Sequence, residues 1–416
     1  MATQRAERYD PNSPLEQEVK LPSAPRVALA TNATLQPPLT RRGTGPGLIQ
    51  FLPARAKYAS STTLEGEHAV ETSLDPEPVQ KWAEEGYAVV AVEDAGASGA
   101  AWGVTVTLTE GLKALKALTE LDVRDRFGVI VYDPDLIDAV HDAAAQHPEI
   151  VAIVAFTDTV EHVKLPKPTQ YHLPGRTAIP DTGTAEVVTH EHATSPFFVF
   201  VQSGAYEPSA ATAAHSKSLV FLRKHIGGPH FDIEAIWEEH TYFEFEVRSV
   251  AKTMGTMVQE PYVNHVPTMT GGVGREALTT FYRDHFIFSN PPDAALKTVS
   301  RTVGADRVVD EFIFHVTHTT MIDWLLPGVP PTGKKLEIPM LGVINVRGDR
   351  LYHEHIWWDQ GTVLKQAGLL PDVVTVPTST GPRKLKLPVA GVEAARMLVN
   401  ESDGKSNEMF GWGYQD

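Results

Sequence analysis

The chain has 416 residues, 42% of them apolar and 21% charged, which is long for one domain and enough for a sizeable core. Its formal net charge of −16 argues against a general binder of nucleic acid or membrane surfaces, which needs a basic stripe. There is no cysteine, so disulfides, thiolate catalysis and cysteine metal sites are excluded together.

Residues 1 to 45 are rich in proline and weakly periodic, and read as an irregular arm. The opening "MATQRAERYDPNSPLEQEVK" lacks the apolar segment of a secretory signal. No apolar run approaches the ~20 residues of a membrane span. A soluble, cytoplasmic protein is expected, in which the sequons at Asn32 and Asn400 are chance.

From residue 46 short apolar runs alternate with helical patterns. The expected strands are "GLIQFLPA", "YAVVAVED", "RFGVIVYD", "EIVAIVAF", "KPTQYHLPG" and "FFVFVQSG". Between them lie helices such as "DPEPVQKWAEEG", "TLTEGLKALKAL" and "PDLIDAVHDAAAQHP", and "AATAAHSKSLVFLRKHI" follows the last strand. This alternation predicts an α/β domain with a mainly parallel sheet over residues 46–228.

"GGPHFD" marks the boundary to a second domain at 229–371. There a largely helical stretch to about 290 precedes long strand patterns, "VVDEFIFHVTHTTM" and "KKLEIPMLGVINVRGDRLYHEHIWWD", an α+β grammar. The tail 372–416 carries one helix, "VAGVEAARMLVNE".

In "RLYHEHIWWDQG", an extended strand places His353, His355, Trp357 and Asp359 on one face. Tyr352, Glu354, Ile356 and Trp358 fall on the other. The two histidines stand about 6.6 Å apart along the strand. We take the histidine face as the wall of a wet pocket. His-x-His beside a carboxylate is also a spacing that holds iron or zinc. "GGVG" before "REAL" is shaped like an anion-binding helix start but lacks a phosphate-loop lysine, so its glycines are expected to allow a tight turn.

Three pieces in order, "GREAL", "PPTGKKLEIP" and "GDRLYHEHIWWDQGTVLKQAG", resemble the SnoaL-like branch of the NTF2-like superfamily, over roughly residues 233–371. The resemblance implies a cone-shaped α+β barrel around an apolar cavity. It implies cofactor-free acid/base catalysis, with no metal: cyclisation, isomerisation or dehydration of a small carbonyl or polyketide-like compound. It also implies a homodimer paired through the exposed face of the sheet. Asp359 matches the family's acid/base aspartate, although an aspartate there also suits the N-cap of a helix starting at Gln360. His265, in "EPYVNHVPTMTGG", is its expected partner, or else a loop histidine that orders the turn. His353, His355 or Tyr262 would steady the oxyanion. Asn264, His318, Trp324 and Trp357 are expected to bind substrate.

The N-terminal half resembles the dienelactone hydrolase branch of the α/β-hydrolases. "VQKWAEEGYAVVAVED" looks like its helix and following strand, and "RFGVIVYDPDL" stands at its nucleophile elbow. The elbow reads Tyr132-Asp133-Pro134, and "HLPGRTAIP" and "VQSGAYEPS" stand where acid and histidine belong. A scaffold stripped of its triad is expected, with Ser203, Asp181 and His215 as a substitute set. Ester or lactone hydrolysis is thus one alternative function, and a non-catalytic binding or dimerisation protein another.

Overall fold

A computed structural model describes residues 8–59, 73–160, 165–176 and 185–415. The N-terminal unit is Leu21–Asp232 with Arg347–Asp349, and the rest of the described chain forms the C-terminal unit. Among the described residues, no helix is long and apolar enough to cross a membrane.

The N-terminal unit holds β1 (Val27–Ala30), β2 (Ala33–Gln36), β3 (Gly47–Leu52), β4 (Ala88–Glu93), β5 (Phe127–Val131), β6 (Ile150–Phe156), β7 (Thr169–Pro174) and β8 (Glu186–His190). They form one mixed sheet in the order β1-β2-β4-β3-β5-β6-β7-β8. The pairs from β4 through β8 are parallel, and β2 runs antiparallel to both β1 and β4. The central strands are apolar on both faces because each face is covered by helices. Ile49, Phe51 and Val129 meet the helices Val104–Ala117 and Ile137–Ala144. Leu48, Ile130 and Val154 meet Pro78–Glu84 and Pro208–Ile226.

Two expectations are corrected here. The proline-rich arm is not wholly irregular, since it supplies β1 and β2. "FFVFVQSG" is not the last strand but a chain of tight turns, closed by Phe198 N–H to Ser195, Phe200 N–H to Phe197 and Ser203 N–H to Phe200. Phe198 and Phe200 are buried in the turns, so the apolar run satisfies the core without pairing to a strand. The last strand is the weakly apolar "EVVTH" of β8.

A buried charge network lies under this sheet. Glu85 accepts from His215 at 2.8 Å and from the Gly348 N–H at 3.1 Å, with Arg223 3.5 Å away. Burial alone would raise the Glu85 carboxyl, but the His215 hydrogen bond and the charges of His215, Arg223 and Arg347 hold it below its usual value. Such a carboxyl contributes stability that is present above its unfolded value, about 4.3, and lost as pH falls through its folded value. The urea midpoint should therefore hold between about pH 7 and 5 and decline below. Glu85→Gln should lower the neutral midpoint and flatten the acid limb, and an unchanged limb would remove Glu85 from that dependence.

The C-terminal unit holds β9 (Met257–His265), β10 (Thr270–Val273), β11 (Ala295–Val303), β12 (Arg307–Thr317), β13 (Lys335–Arg347) and β14 (Arg350–Trp358). They form a six-stranded sheet in the order β10-β9-β14-β13-β12-β11. β9 and β14 are parallel, while β10–β9, β11–β12 and β12–β13 are antiparallel. β9 and β10 interrupt the stretch read as helical up to 290. Gly271 makes their hairpin possible: its φ is +133°, and a Cβ there would stand 2.1 Å from the Val263 carbonyl oxygen.

Helices Ile233–Tyr242 and Arg275–Phe281 each run on into one π-helical turn, Phe243–Val247 and Tyr282–Phe286. The arm contributes here too, since the Glu16 carboxylate accepts from Val250 and Ala251 N–H at 3.0 and 2.9 Å and caps the helix Val250–Gly255. The tail holds more than its one helix, Glu393–Val399, because β15 (Val373–Val376), β16 (Arg383–Lys386) and β17 (Tyr414–Gln415) make a separate three-stranded sheet.

Candidate functional site

In β14, Glu354, Ile356 and Trp358 are buried, whereas His353 and His355 are half-buried and Trp357 is exposed. The pairing His353↔Tyr262, Glu354↔Val263, His355↔Asn264 and Ile356↔His265 carries the same division onto β9. The inner face thus presents Val263, His265, Glu354 and Ile356. Tyr262, Asn264, His353 and His355 share the outer face, where the two histidine rings stack at 4.7 Å and Tyr262 meets His355 edge-on. The face expected to wall the pocket is the wrong one.

The inner face and the helices line a pocket. Its walls are largely apolar, with Trp237, Phe245, Phe286, Phe312, Phe314 and Trp324 among them. Four ionisable side chains interrupt this lining: Glu244, His265, Tyr282 and Glu354. Behind them, His240 Nε2 stands 3.1 Å from Glu244 Oε1, 3.1 Å from Glu354 Oε1 and 3.2 Å from the Tyr282 hydroxyl. The Tyr282 hydroxyl also reaches Glu354 Oε1 at 3.4 Å. His240 and Glu244 are four residues apart on one helix, and Glu244 and Tyr282 each lie in a π turn. Such turns recur at functional sites because they re-aim side chains.

The tautomer of His240 follows from its neighbours. Thr256 donates its hydroxyl hydrogen to the Thr253 carbonyl (2.7 Å), so it accepts from His240 Nδ1–H at 2.6 Å. Nε2 therefore addresses the carboxylates. Burial alone would lower the His240 imidazole, but the charges of Glu244 and Glu354 outweigh it and push it up to about 10. Burial raises the Glu244 carboxyl against the pull of His240. Burial and the two carboxylates push the Tyr282 phenol well up, which keeps it a donor.

His265 lines the same cavity. Thr270 donates to the Trp324 carbonyl (3.1 Å) and so accepts from His265 Nδ1–H at 3.1 Å, which leaves Nε2 as the ring's acceptor. Burial lowers this imidazole to about 3, so it is neutral. Trp324 packs on His265 at 5.0 Å and donates to Asn290 Oδ1 at 2.9 Å. Of the expected site residues, the structure brings His265 and Trp324 to the cavity.

The others lie elsewhere. His318 is buried but holds the Thr332 hydroxyl at 3.1 Å, away from the cavity lining. Asp359 is exposed and caps the helix Gln360–Gln366, accepting from Gly361 N–H at 2.7 Å. It is not a cavity residue, and its replacement by alanine should cost about 0.5–2 kcal/mol of stability, read as a lower melting temperature. An unchanged melting temperature would refute the capping role.

A second pocket lies in the N-terminal unit beside Trp82, Tyr132, Phe156, His215 and Ser218. Tyr132, Phe156, His172 and His190 stack in sequence across four strand ends at 5.0, 4.9 and 5.2 Å. Ser218 Oγ lies 3.0 Å from His172 Nε2. Glu186 takes one amide N–H of Gln170 at 3.2 Å, which turns Gln170 Oε1 to accept from His172 Nε2–H at 3.1 Å. That nitrogen has no lone pair for the serine proton. His215 is engaged by Glu85, Ser203 Oγ accepts from Ala205 N–H at 3.1 Å, and Asp181 lies outside the described residues.

The family model for the SnoaL-like domain matches residues 239–354, and this part of the chain has the SnoaL-like, NTF2-like fold. No curated protein matches the chain. Solved structures similar to it include a protein of ketosteroid isomerase-like fold from Catenulispora acidiphila DSM 44928, in complex with trimethylamine (13% identity, 32% of this chain and 93% of that one, TM-score 0.27). A candidate SnoaL-like polyketide cyclase from Jannaschia sp. CCS1 is similar at 18% identity, over 35% of this chain and 100% of that one, with a TM-score of 0.27. TsrD from Streptomyces laurentii is similar at 15% identity, over 34% and 100%, with a TM-score of 0.27.

Proposed function

We propose that the C-terminal unit carries out acid/base chemistry on a small, largely apolar carbonyl compound: cyclisation, isomerisation or dehydration. The observation that supports this is the convergence of Glu244, Glu354 and Tyr282, with His240 behind them, on a largely apolar pocket. Glu354 takes a proton from the carbon next to the carbonyl. The Tyr282 hydroxyl donates to the oxygen on which charge develops, where a preoriented donor in an apolar site is worth most. Glu244, its carboxyl raised by burial, returns a proton. His240 is the positioning residue, held by Thr256 and holding both glutamates. His265 Nε2 accepts from a substrate hydroxyl or stays unused.

The test is mass spectrometry of the host's small-molecule extract before and after incubation with the protein. A converted species of unchanged mass, or one lighter by water, that disappears with Glu354→Gln supports the reading. A species heavier by water and indifferent to Glu354 moves the activity to the N-terminal unit and overturns it.

A further inference from the structure

The geometry points to a second use of the same side chains. We infer that His240, Glu244 and Glu354, with the Tyr282 hydroxyl as a fourth donor, bind one divalent first-row metal ion, and that loading this site stops the proton chemistry. The second half of that statement rests on the function proposed above. The first does not.

Three observations carry the site. The donor atoms converge: one ligand atom from each of His240, Glu244 and Glu354 lies within 4.8 Å of the other two, and all three side chains are buried. The Nε2-to-carboxylate separations of 3.1 Å are the edges expected of ligands about 2.0–2.2 Å from a shared ion, which stand about 3.0–3.4 Å apart.

The second observation is the fixed ring orientation. The Thr253 carbonyl orients the Thr256 hydroxyl, which holds His240 Nδ1–H, so Nε2 is aimed at the point where the two carboxyl groups meet. A metal-binding imidazole is characteristically held this way by its other nitrogen.

The third is the crowding of oxygens around one nitrogen. Nε2 carries at most one hydrogen, yet two carboxyl groups and a phenol oxygen stand within 3.2 Å of it. One imidazole with two carboxylates and a phenol suits zinc, iron(II) or manganese. The ion takes the Nε2 lone pair and both carboxylates, displacing their protons, so Glu354 can no longer accept one from carbon.

Titration calorimetry on the full chain after chelator dialysis, with zinc chloride and with manganese chloride, tests the site without any substrate. One equivalent of at least one ion should bind and raise the melting temperature. Glu354→Gln and Glu244→Gln should each weaken binding at least tenfold, and Thr256→Val about tenfold or more by releasing the His240 ring from the hydroxyl that orients it. Circular dichroism identifies any variant that fails to fold, and Thr256→Val leaves all four donors in place. No binding of either ion, or binding equally tight in Glu354→Gln, overturns the site. Turnover that survives chelation and falls on zinc loading supports the silencing, whereas turnover abolished by chelation overturns it. Metal binding in a protein that converts nothing would remove the proposed function and leave the site.

Discussion

Glu354→Gln should fold as the parent does and lose turnover by at least about 100-fold, the low end of what a positioned acid or base contributes. The substitution keeps the shape of the side chain and its place on β14 beside Val263 in the pocket lining. It removes the only property the proposed mechanism needs from residue 354, the ability to take a proton. In the proposed reaction the aromatic wall holds most of the substrate, so KM should move much less than kcat. Asp359→Asn is the matched comparison. Asparagine caps a helix about as well as aspartate, and residue 359 stands on the exposed end of the strand, so turnover should stay within about twofold. Loss of turnover in Asp359→Asn with retention in Glu354→Gln would reverse the assignment of the two carboxylates.

Trp82→Ala should destabilise the N-terminal unit by about 3–5 kcal/mol, measured as a lower urea midpoint with an unchanged helix and strand signature at neutral pH. Trp82 is 1% exposed and fixes the face of the sheet under the helix Pro78–Glu84. Its ring meets Tyr87 at 5.5 Å and His215 at 4.7 Å. Its indole N–H donates to the Tyr132 hydroxyl at 3.0 Å, so truncation leaves both a void and a buried hydroxyl without its donor. Tyr132 is built into the core by Trp82 and by its stack on Phe156. A loss below about 1 kcal/mol would mean the helix repacks around the gap.

Much of the architecture is legible in the chain because periodicity is local. The apolar runs at β3 to β6 are long and bounded by turn residues, and the structure has strands there. β1 and β8 escaped because they are short and stand at the two edges of the sheet, where less burial is demanded, and β2, although inside the sheet, is only four residues long. β9 escaped for another reason: its alternation breaks at Gln259, Glu260 and Pro261, and only pairing with β14 shows it to be a strand. "FFVFVQSG" shows the converse, that an apolar run can meet the needs of burial in turns alone.

The sequence by itself determined that β14 is a strand with two unlike faces, and that the part of the chain around it resembles SnoaL-like domains. Which face looks inward is decided by what the strand packs against, since a period of two is the same for both. One signal was available: Glu354, Ile356 and Trp358 form the more apolar face, and a lone carboxylate among apolar neighbours is a better sign of a cavity acid than histidines on the wetter side. His240, Glu244 and Tyr282 carried less. Their helices show an ordinary pattern, and nothing local in it marks three residues as neighbours of a glutamate on a strand more than 70 positions away. Only the tertiary structure brings them within 3.1–3.4 Å of one another, because helix and sheet must close over a shared apolar interior and bury these groups together or not at all.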